Sequence, residues 1–158
     1  ELDAERSSPA EVLLESRLAS KLKTINPGLS DSGVRQAIAA LTTPVADSLL
    51  EANEKLHRIL SRWTIVEETA KGQPVGRSVR FIDFDHPENR ENNEFLVVDE
   101  FTVKGPRFTR RIDLAVFVNG IPVAAMECKR PDDPHGIGKA IDDLRLYQDR
   151  LDGCARLF

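Results

Sequence analysis

The run from Arg110 to Arg130, RRIDLAVFVNGIPVAAMECKR, is the feature that most limits how this chain can fold. Two apolar segments flank Asn119-Gly120, and Asn-Gly between such segments predicts a β-hairpin. Three ionisable side chains interrupt the apolar pattern, namely Asp113, Glu127 and Lys129. A charge inside a half-buried strand is costly unless it is paired or bound to a metal ion. The segment therefore predicts a hairpin that carries either a cross-strand salt bridge or a functional site.

The register of the hairpin decides between these two interpretations. Glu127 and Lys129 are two residues apart and share a strand face, so Cys128 is expected on the other face, in the core. With a two-residue loop, position 113 pairs with 126 and Asp113 faces away from Glu127. A three-residue loop that includes Ile121, or a β-bulge elsewhere, pairs 113 with 127 instead. A site containing both carboxylates therefore requires one extra residue in this hairpin.

Two facing carboxylates and a strand carbonyl suit a hard, oxygen-seeking cation such as Mg²⁺. A neighbouring lysine can orient the attacking water and stabilise the negative charge that builds on phosphorus. Asp113, Glu127 and Lys129 therefore form a sensible site for phosphodiester hydrolysis. Their spacing alone does not distinguish such a site from a structural ion pair.

The rest of the chain predicts a single mixed α and β domain over residues 1–158. Hydrophobic residues make up 41% and charged residues 30%, which is ordinary globular composition. Residues 1–63 read mainly as helices, with a capping pattern of Ser8 and Glu11 and with Trp63 expected in the core. Residues 64–158 contain strands, the hairpin and a last helix. The predicted helices begin at about Pro9, at Ser30 or Asp31, after Thr43-Pro44 and at about Gly138, and the third is expected to carry a core stripe of Leu49, Leu56, Leu60 and Trp63. The predicted strands are Thr64–Thr69, Arg77–Phe84, Phe95–Val103, Thr109–Val118 and Pro122–Arg130.

The charge and targeting signals favour a cytoplasmic protein in which any contact with nucleic acid is local. The net charge of -4 argues against a surface that grips nucleic acid throughout, but Lys104 to Arg111 holds four basic residues and no acid. No apolar run approaches the ~18 residues that span a bilayer, and the first residues lack a signal-peptide pattern. Cys128 and Cys154 are expected to be reduced thiols.

The hairpin resembles the PD-(D/E)xK nuclease motif, and more closely the amino-terminal nuclease domain of the R subunit of type I restriction–modification enzymes. The resemblance rests on Asp113, then Val118-Asn119-Gly120-Ile121-Pro122, then Glu127-Cys128-Lys129. Leu14-Glu15 and Leu18 resemble the first helix of that family, and Ala140 to Tyr147 the helix after the active-site strands. Two departures are Cys128, where Leu is more usual, and Asp143, where the family has Gln four residues before the tyrosine.

The resemblance implies a restriction-endonuclease-like core, with a central mixed sheet flanked by helices and preceded by a helical amino-terminal segment. It implies that Asp113, Glu127 and the Cys128 carbonyl bind Mg²⁺ and that Lys129 acts on the water or the phosphate. Glu15 would be an acid beside the metal, although an exposed helix acid is an equally good interpretation. The implied DNA contacts are Arg110, Arg111, Arg130, Lys139 and Tyr147.

The same resemblance implies a type I site-specific deoxyribonuclease acting on double-stranded DNA with modification and specificity subunits. The chain would then be a fragment of a larger subunit whose ATP-driven motor lies outside these residues, because no Gly-x-x-x-x-Gly-Lys-Ser/Thr loop occurs here. Two alternatives stay open. One is an inactive nuclease-fold module that serves as a binding or assembly platform, and the other is a stand-alone DNA repair nuclease.

Overall fold

The computed structural model describes residues 5–43, 48–70, 72–86, 88, 90–105 and 107–147. Within these ranges the chain forms four α-helices and five β-strands, so the mixed α/β class is confirmed. The helices are α1 (Glu15–Ile25), α2 (Asp31–Thr42), α3 (Leu49–Ser61) and α4 (Gly136–Tyr147). The strands are β1 (Thr64–Ala70), β2 (Gln73–Val79), β3 (Phe95–Lys104), β4 (Thr109–Val118) and β5 (Ile121–Met126).

The described strands form two antiparallel sheets, β1-β2 and β3-β4-β5. This architecture is consistent with a restriction-endonuclease-like fold, but no parallel pair occurs among the described strands, so the central mixed sheet that the resemblance implies is not present there. Short connections between consecutive strands give antiparallel neighbours, whereas a parallel neighbour needs a long crossover. Residues 148–150 of the predicted last helix, and Cys154, lie outside the described residues.

The chain divides into two compact units. The helical unit is Glu15–Glu94, and the hairpin unit combines Glu1–Leu14 with Phe95–Phe158. The expectation of one domain stays a prediction.

In the helical unit, α1 and α2 bury one face each. The predicted second helix is confirmed: Ser30 caps α2, and its hydroxyl oxygen accepts the Gly33 N–H at 3.0 Å. The buried residues come from both helices and from the β1-β2 region, and they are Leu18, Leu22, Leu29, Val34, Ala37, Leu41, Val66, Val79 and Phe81.

Helix α3 does not carry the predicted core stripe. Trp63 is half exposed, because the helix ends at Ser61 and the tryptophan therefore no longer follows the helical face. Leu56 and Leu60 are only partly buried. The expectation that Trp63 belongs to the core was wrong.

The first helix begins at Glu15 rather than at Pro9. Ser8 and Glu11 do not form the predicted capping box: the Glu11 N–H donates to the Ser8 backbone carbonyl at 3.0 Å, and the Glu11 carboxylate accepts the N–H of Ser7, not of Ser8, at 2.9 Å. These bonds close a turn and not a helix. The Pro9 carbonyl accepts the Lys104 N–H, and the Leu14 N–H donates to Gly120, both at 2.9 Å. Tertiary contacts within the hairpin unit thus use backbone groups that a longer helix would need.

The hairpin unit is built on the inner face of β3-β4-β5. Phe101 and Phe117 pack edge to face, with ring centroids 5.1 Å apart and an interplanar angle of 75°. Leu14, Ile112 and Tyr147 belong to the same buried cluster, so the segment before α1 and the end of α4 both pack on this sheet. The core therefore fixes α4 against the strands that carry the predicted site.

Among the described helices, none combines the length and the apolar character that crossing a membrane requires.

Candidate active site

The β4-β5 hairpin contains the extra residue that the site requires. Val118 pairs with Ile121, so the turn has two residues, and the positive φ angles of Asn119 (54°) and Gly120 (81°) are those of a type I′ turn. The register then shifts: Phe117 pairs with Pro122, but Val116 pairs with Ala124. Val123 is the additional residue, which confirms the prediction of a bulge.

Beyond the bulge, Leu114 pairs with Met126, so Asp113 comes opposite Glu127. The Cys128 N–H donates to Asp113 Oδ2 at 2.7 Å, and the Asp113 N–H approaches Glu127 Oε1 at 3.5 Å. These contacts connect the two segments after the regular ladder has ended. Asp113 and Glu127 therefore lie together.

Two details of this segment differ from the prediction. Strand β5 ends at Met126, not at Arg130. Cys128 is an exposed free thiol rather than a core residue. Strand alternation places a side chain only as long as the strand continues, and Cys128 lies beyond it.

The Glu127 carboxylate is nearly buried, with a side chain only 4% exposed. Its Oε1 accepts the Tyr147 hydroxyl at 2.6 Å, and its Oε2 accepts the Lys129 ammonium at 3.1 Å. Burial, and then the Glu127 carboxylate, raise the pKa of Tyr147 above its ordinary range. The hydroxyl therefore stays protonated and donates a hydrogen bond to Glu127. The carboxylate is therefore held from two sides.

Lys129 bridges two carboxylates. Its Nζ lies 2.7 Å from Asp143 Oδ2, closer than the 3.1 Å that separates it from Glu127 Oε2. Hydrogen bonds to Asp143 and then to Glu127 raise the pKa of Lys129, so the amine stays charged at neutral pH. A charged lysine acts as a hydrogen-bond donor and a cation and not as a base.

The oxygen donors of the site suit the coordination that Mg²⁺ prefers. Across the described ranges, no group of three or more His, Cys, Asp or Glu side chains is placed to hold a metal ion. Mg²⁺ is usually bound through one or two carboxylates together with water and substrate phosphate, and not through a complete protein cage. Asp113 and Glu127, with the Cys128 carbonyl, offer hard oxygen donors, and Asp113 Oδ2 and Glu127 Oε2 each have a second lone pair beyond the hydrogen bonds described above. The residues fit such an ion.

The predicted DNA-binding side chains lie in the same unit, and most are exposed. Arg111 pairs with Glu100 at 3.0 Å, Arg130 with Asp132 at 2.8 Å and Lys139 with Asp133 at 2.7 Å. The Arg110 guanidinium stacks on Phe108, 5.2 Å from the ring centroid. Exposed ion pairs of this kind contribute little to stability, so a phosphate can replace the carboxylate at small cost.

Of the other residues that the sequence singled out, Tyr147 contacts Glu127, Asp143 contacts Lys129, and Glu15 belongs to the helical unit. Tyr147 is buried with its hydroxyl on Glu127, which favours a role in holding that carboxylate over a direct contact with DNA. Glu15 is the first residue of α1, in the helical unit, and its role stays a prediction. The contact between Asp143 and Lys129 was not predicted. The signal available in the sequence was that Asp143 lies four residues before Tyr147, because residues i and i+4 share a helix face.

Comparison with known proteins gives the family. Residues 1–158 match the sequence profile described as "Type I restriction enzyme R protein N terminus". The chain belongs to this family.

Two curated relatives of this R protein amino-terminal domain are longer proteins. The chain is 27% identical over 142 residues to the type I restriction enzyme HindI endonuclease subunit of Haemophilus influenzae, covering 89% of this chain and 13% of the relative. It is 32% identical over 143 residues to the putative type I restriction enzyme MjaIXP endonuclease subunit of Methanocaldococcus jannaschii, covering 88% and 13%. The chain thus spans about an eighth of the length of these relatives. No solved structure matches it.

Proposed function

We propose that this domain is the endonuclease part of a type I restriction enzyme and hydrolyses phosphodiester bonds of double-stranded DNA with the help of Mg²⁺. The observation that carries the proposal is the bulge at Val123, which brings Asp113 and Glu127 onto one face beside Lys129. An apolar strand pair gains nothing in stability from three such charges, so the arrangement favours chemistry. Membership of the R protein family and the names of both relatives support the same reading.

Each side chain has a role that its contacts allow. Asp113, Glu127 and the Cys128 carbonyl would hold the ion, which when bound supplies Lewis acidity and activates water. Lys129 has three N–H donors, and its two carboxylate contacts leave one for the attacking water or a phosphate oxygen. As negative charge grows on the phosphate, the ammonium group stabilises it. Tyr147 keeps the Glu127 carboxylate in place.

The DNA contacts in this proposal come from four basic residues of the hairpin unit: the exposed Arg111, Arg130 and Lys139 and the partly buried Arg110. Such contacts to phosphates position a duplex without reading its sequence. Sequence recognition would then belong to the modification and specificity subunits that we propose as partners. An ATP-driven motor elsewhere in the same subunit, and a cytoplasmic location, are parts of this proposal.

The proposal is tested by Asp113→Ala, Glu127→Ala and Lys129→Ala in the intact enzyme. Each should reduce DNA cleavage by about a hundredfold or more, because each removes a group that acts on the transition state. ATP hydrolysis and the circular dichroism spectrum should persist. Lys55→Ala, which removes an exposed lysine paired with Glu51, is the matched control and should cleave normally. Wild-type cleavage by any of the three site variants would refute the assignment.

A catalytically inactive assembly platform is the second candidate, favoured by the Asp143–Lys129 ion pair and by the net charge of -4. Metal binding distinguishes an active nuclease from an inactive assembly platform. Mg²⁺ or Mn²⁺ should raise the melting temperature of the wild type and not that of Glu127→Ala, because only a ligand that binds the folded state stabilises it. Equal melting temperatures with and without metal would favour the platform. Efficient cleavage without any motor activity would favour a stand-alone repair nuclease.

A further inference from the structure

The Asp143 carboxylate lies 2.7 Å from the Lys129 ammonium group and does not belong to the proposed ligand set. We propose that Asp143 is a positioning residue, which keeps Lys129 at the site when Glu127 is engaged by the metal ion. This inference rests on the proposed nuclease function. It assigns a task to a residue that sequence reasoning marked only as a departure from the family pattern.

Helix α4 contacts the site from one face. Asp143 and Tyr147 are four residues apart and share that face, where Asp143 holds Lys129 and Tyr147 holds Glu127. The start of the same helix confines the stem of the lysine, since a Cβ on Gly136 would come 3.1 Å from Lys129 Cβ. Helix α4 thus constrains both the base and the charged end of Lys129.

The need for a second anchor follows from competition for Glu127. In the structure, the lysine is shared between Glu127 Oε2 at 3.1 Å and Asp143 Oδ2 at 2.7 Å. A divalent cation on Glu127 draws on the same carboxylate oxygens and repels the ammonium group. The contact with Glu127 then weakens, and the contact with Asp143 remains. Without Asp143, the lysine would be free to swing into solvent.

The alternative is that the contact between Asp143 and Lys129 is an ordinary surface ion pair without a role in catalysis, because the Asp143 side chain is 41% exposed. Asp142 is the internal control for this interpretation. It is the neighbouring acid on the same helix, it is 79% exposed, and it faces Arg145 at 3.8 Å rather than Lys129. Removing Asp142 changes the net charge of α4 by the same amount as removing Asp143, without touching the lysine.

The test compares Asp143→Ala, Asp143→Asn, Asp142→Ala and Lys129→Ala in the intact enzyme at saturating Mg²⁺. We expect Asp143→Ala to lower kcat for DNA cleavage by about ten- to a hundredfold with KM little changed, since a misplaced catalytic group costs rate and not ground-state binding. Asp143→Asn keeps an acceptor oxygen near Lys129 and should recover most of the rate. Asp142→Ala should cleave like the wild type.

A second readout does not depend on activity. Acylation of individual lysines, mapped by peptide mass spectrometry with and without Mg²⁺, reports how firmly Lys129 is held. In the wild type and in Asp142→Ala, Lys129 should stay protected in both conditions. In Asp143→Ala it should react about tenfold faster, and faster still after Mg²⁺ is added.

The outcomes separate the inference from the proposed function. Wild-type cleavage by Lys129→Ala would overturn the nuclease assignment itself. Loss of cleavage in Lys129→Ala together with wild-type kcat in Asp143→Ala would overturn the positioning role alone. Equal Lys129 labelling in the wild type and Asp143→Ala would also overturn it, and so would equal loss of kcat in Asp142→Ala and Asp143→Ala.

Discussion

At the scale of single residues, Glu127 concentrates the energetic demands of the site. A carboxylate that is only 4% exposed loses most of its hydration, and its neighbours must replace it. The Tyr147 hydroxyl and the Lys129 ammonium group do so directly, at 2.6 and 3.1 Å. Any change to one partner therefore leaves a nearly buried charge partly uncompensated.

Tyr147→Phe isolates the hydroxyl contact, because it keeps the ring in the core. We expect the free energy of unfolding to fall by about 1.5–3 kcal/mol, the usual contribution of a hydrogen bond to a charged group. DNA cleavage should also slow, since Glu127 gains freedom to leave its position. Urea denaturation and cleavage assays on the same variant measure both effects. Unchanged stability and unchanged cleavage would show that the hydroxyl does not hold Glu127.

At the scale of the elements, one residue of β5 decides where the site forms. Side chains alternate along a strand, so the bulge at Val123 moves every later residue of that strand to the opposite face. If the same residues paired regularly from the two-residue turn, without a bulge, position 113 would pair with 126, and Asp113 would face away from Glu127. The turn determines where the chain reverses, and the bulge determines that Asp113 lies opposite Glu127.

Inserting an alanine between Ala124 and Ala125 should therefore abolish cleavage while the β4-β5 hairpin persists, because it pairs position 113 with Met126 instead of Glu127. Val123→Ala keeps the chain length and should cleave like the wild type, because the exposed Val123 side chain takes no part in the core. A crystal structure of the insertion variant should show Asp113 and Glu127 on opposite faces. Retained cleavage in the insertion variant would contradict this account of the register.

In the helical unit, Glu68 of β1 holds the start of α2. Its carboxylate accepts the Ser30 N–H at 2.8 Å and the Arg77 guanidinium at 3.0 Å. Hydrogen bonding by Ser30, and then by Arg77, lowers the pKa of Glu68 from 4.5 to about 2. An acid at the amino end of a helix also suits the helix dipole.

This lowered pKa makes part of the stability dependent on pH. A group whose pKa is lower in the folded state stabilises that state above its unfolded pKa of 4.5, and the contribution is lost as the pH falls towards about 2. Glu68→Gln should be less stable than the wild type at pH 7, and the difference should shrink below pH 4.5. Thermal unfolding of both proteins across this range measures it. A difference independent of pH would mean that Glu68 acts by packing and not by charge.

At the scale of the whole molecule, the charge distribution limits how DNA can bind. The net charge is -4, and the stretch from Asp83 to Glu100 holds seven acids and one arginine. Four basic residues between Lys104 and Arg111 form the contrasting segment. Weak general attraction with a few local phosphate contacts is therefore expected.

Residues 1–158 alone should consequently cut DNA poorly and bind it weakly. Affinity depends on salt in proportion to the phosphates neutralised, so a few contacts predict a log–log slope shallower than about -5. Fluorescence anisotropy at several salt concentrations measures the slope. Tight, sequence-selective binding or efficient cleavage by this piece would point to a recognition surface that its charges do not reveal.

The sequence by itself determined the local structures and the identity of the charged groups. Asn119-Gly120 predicted the turn because few other pairs adopt two positive φ angles, and β4 was predicted with its observed bounds. Ser30 predicted the start of α2 through its capping oxygen. The motif Asp113, Glu127 and Lys129 identified the candidate site. All of these depend on residues that are close along the chain.

The tertiary structure decided what depends on distant partners. Of a three-residue loop and a bulge, it selected the bulge, because pairing with β4 and not the turn sets that register. The first helix begins at Glu15 instead of Pro9, because the Pro9 carbonyl accepts the Lys104 N–H and the Leu14 N–H donates to the Gly120 carbonyl. The tertiary structure left Trp63 half exposed and brought Asp143 and Tyr147 of α4 onto Lys129 and Glu127. Contacts between residues far apart in sequence have no local signal, so only the folded chain reveals them.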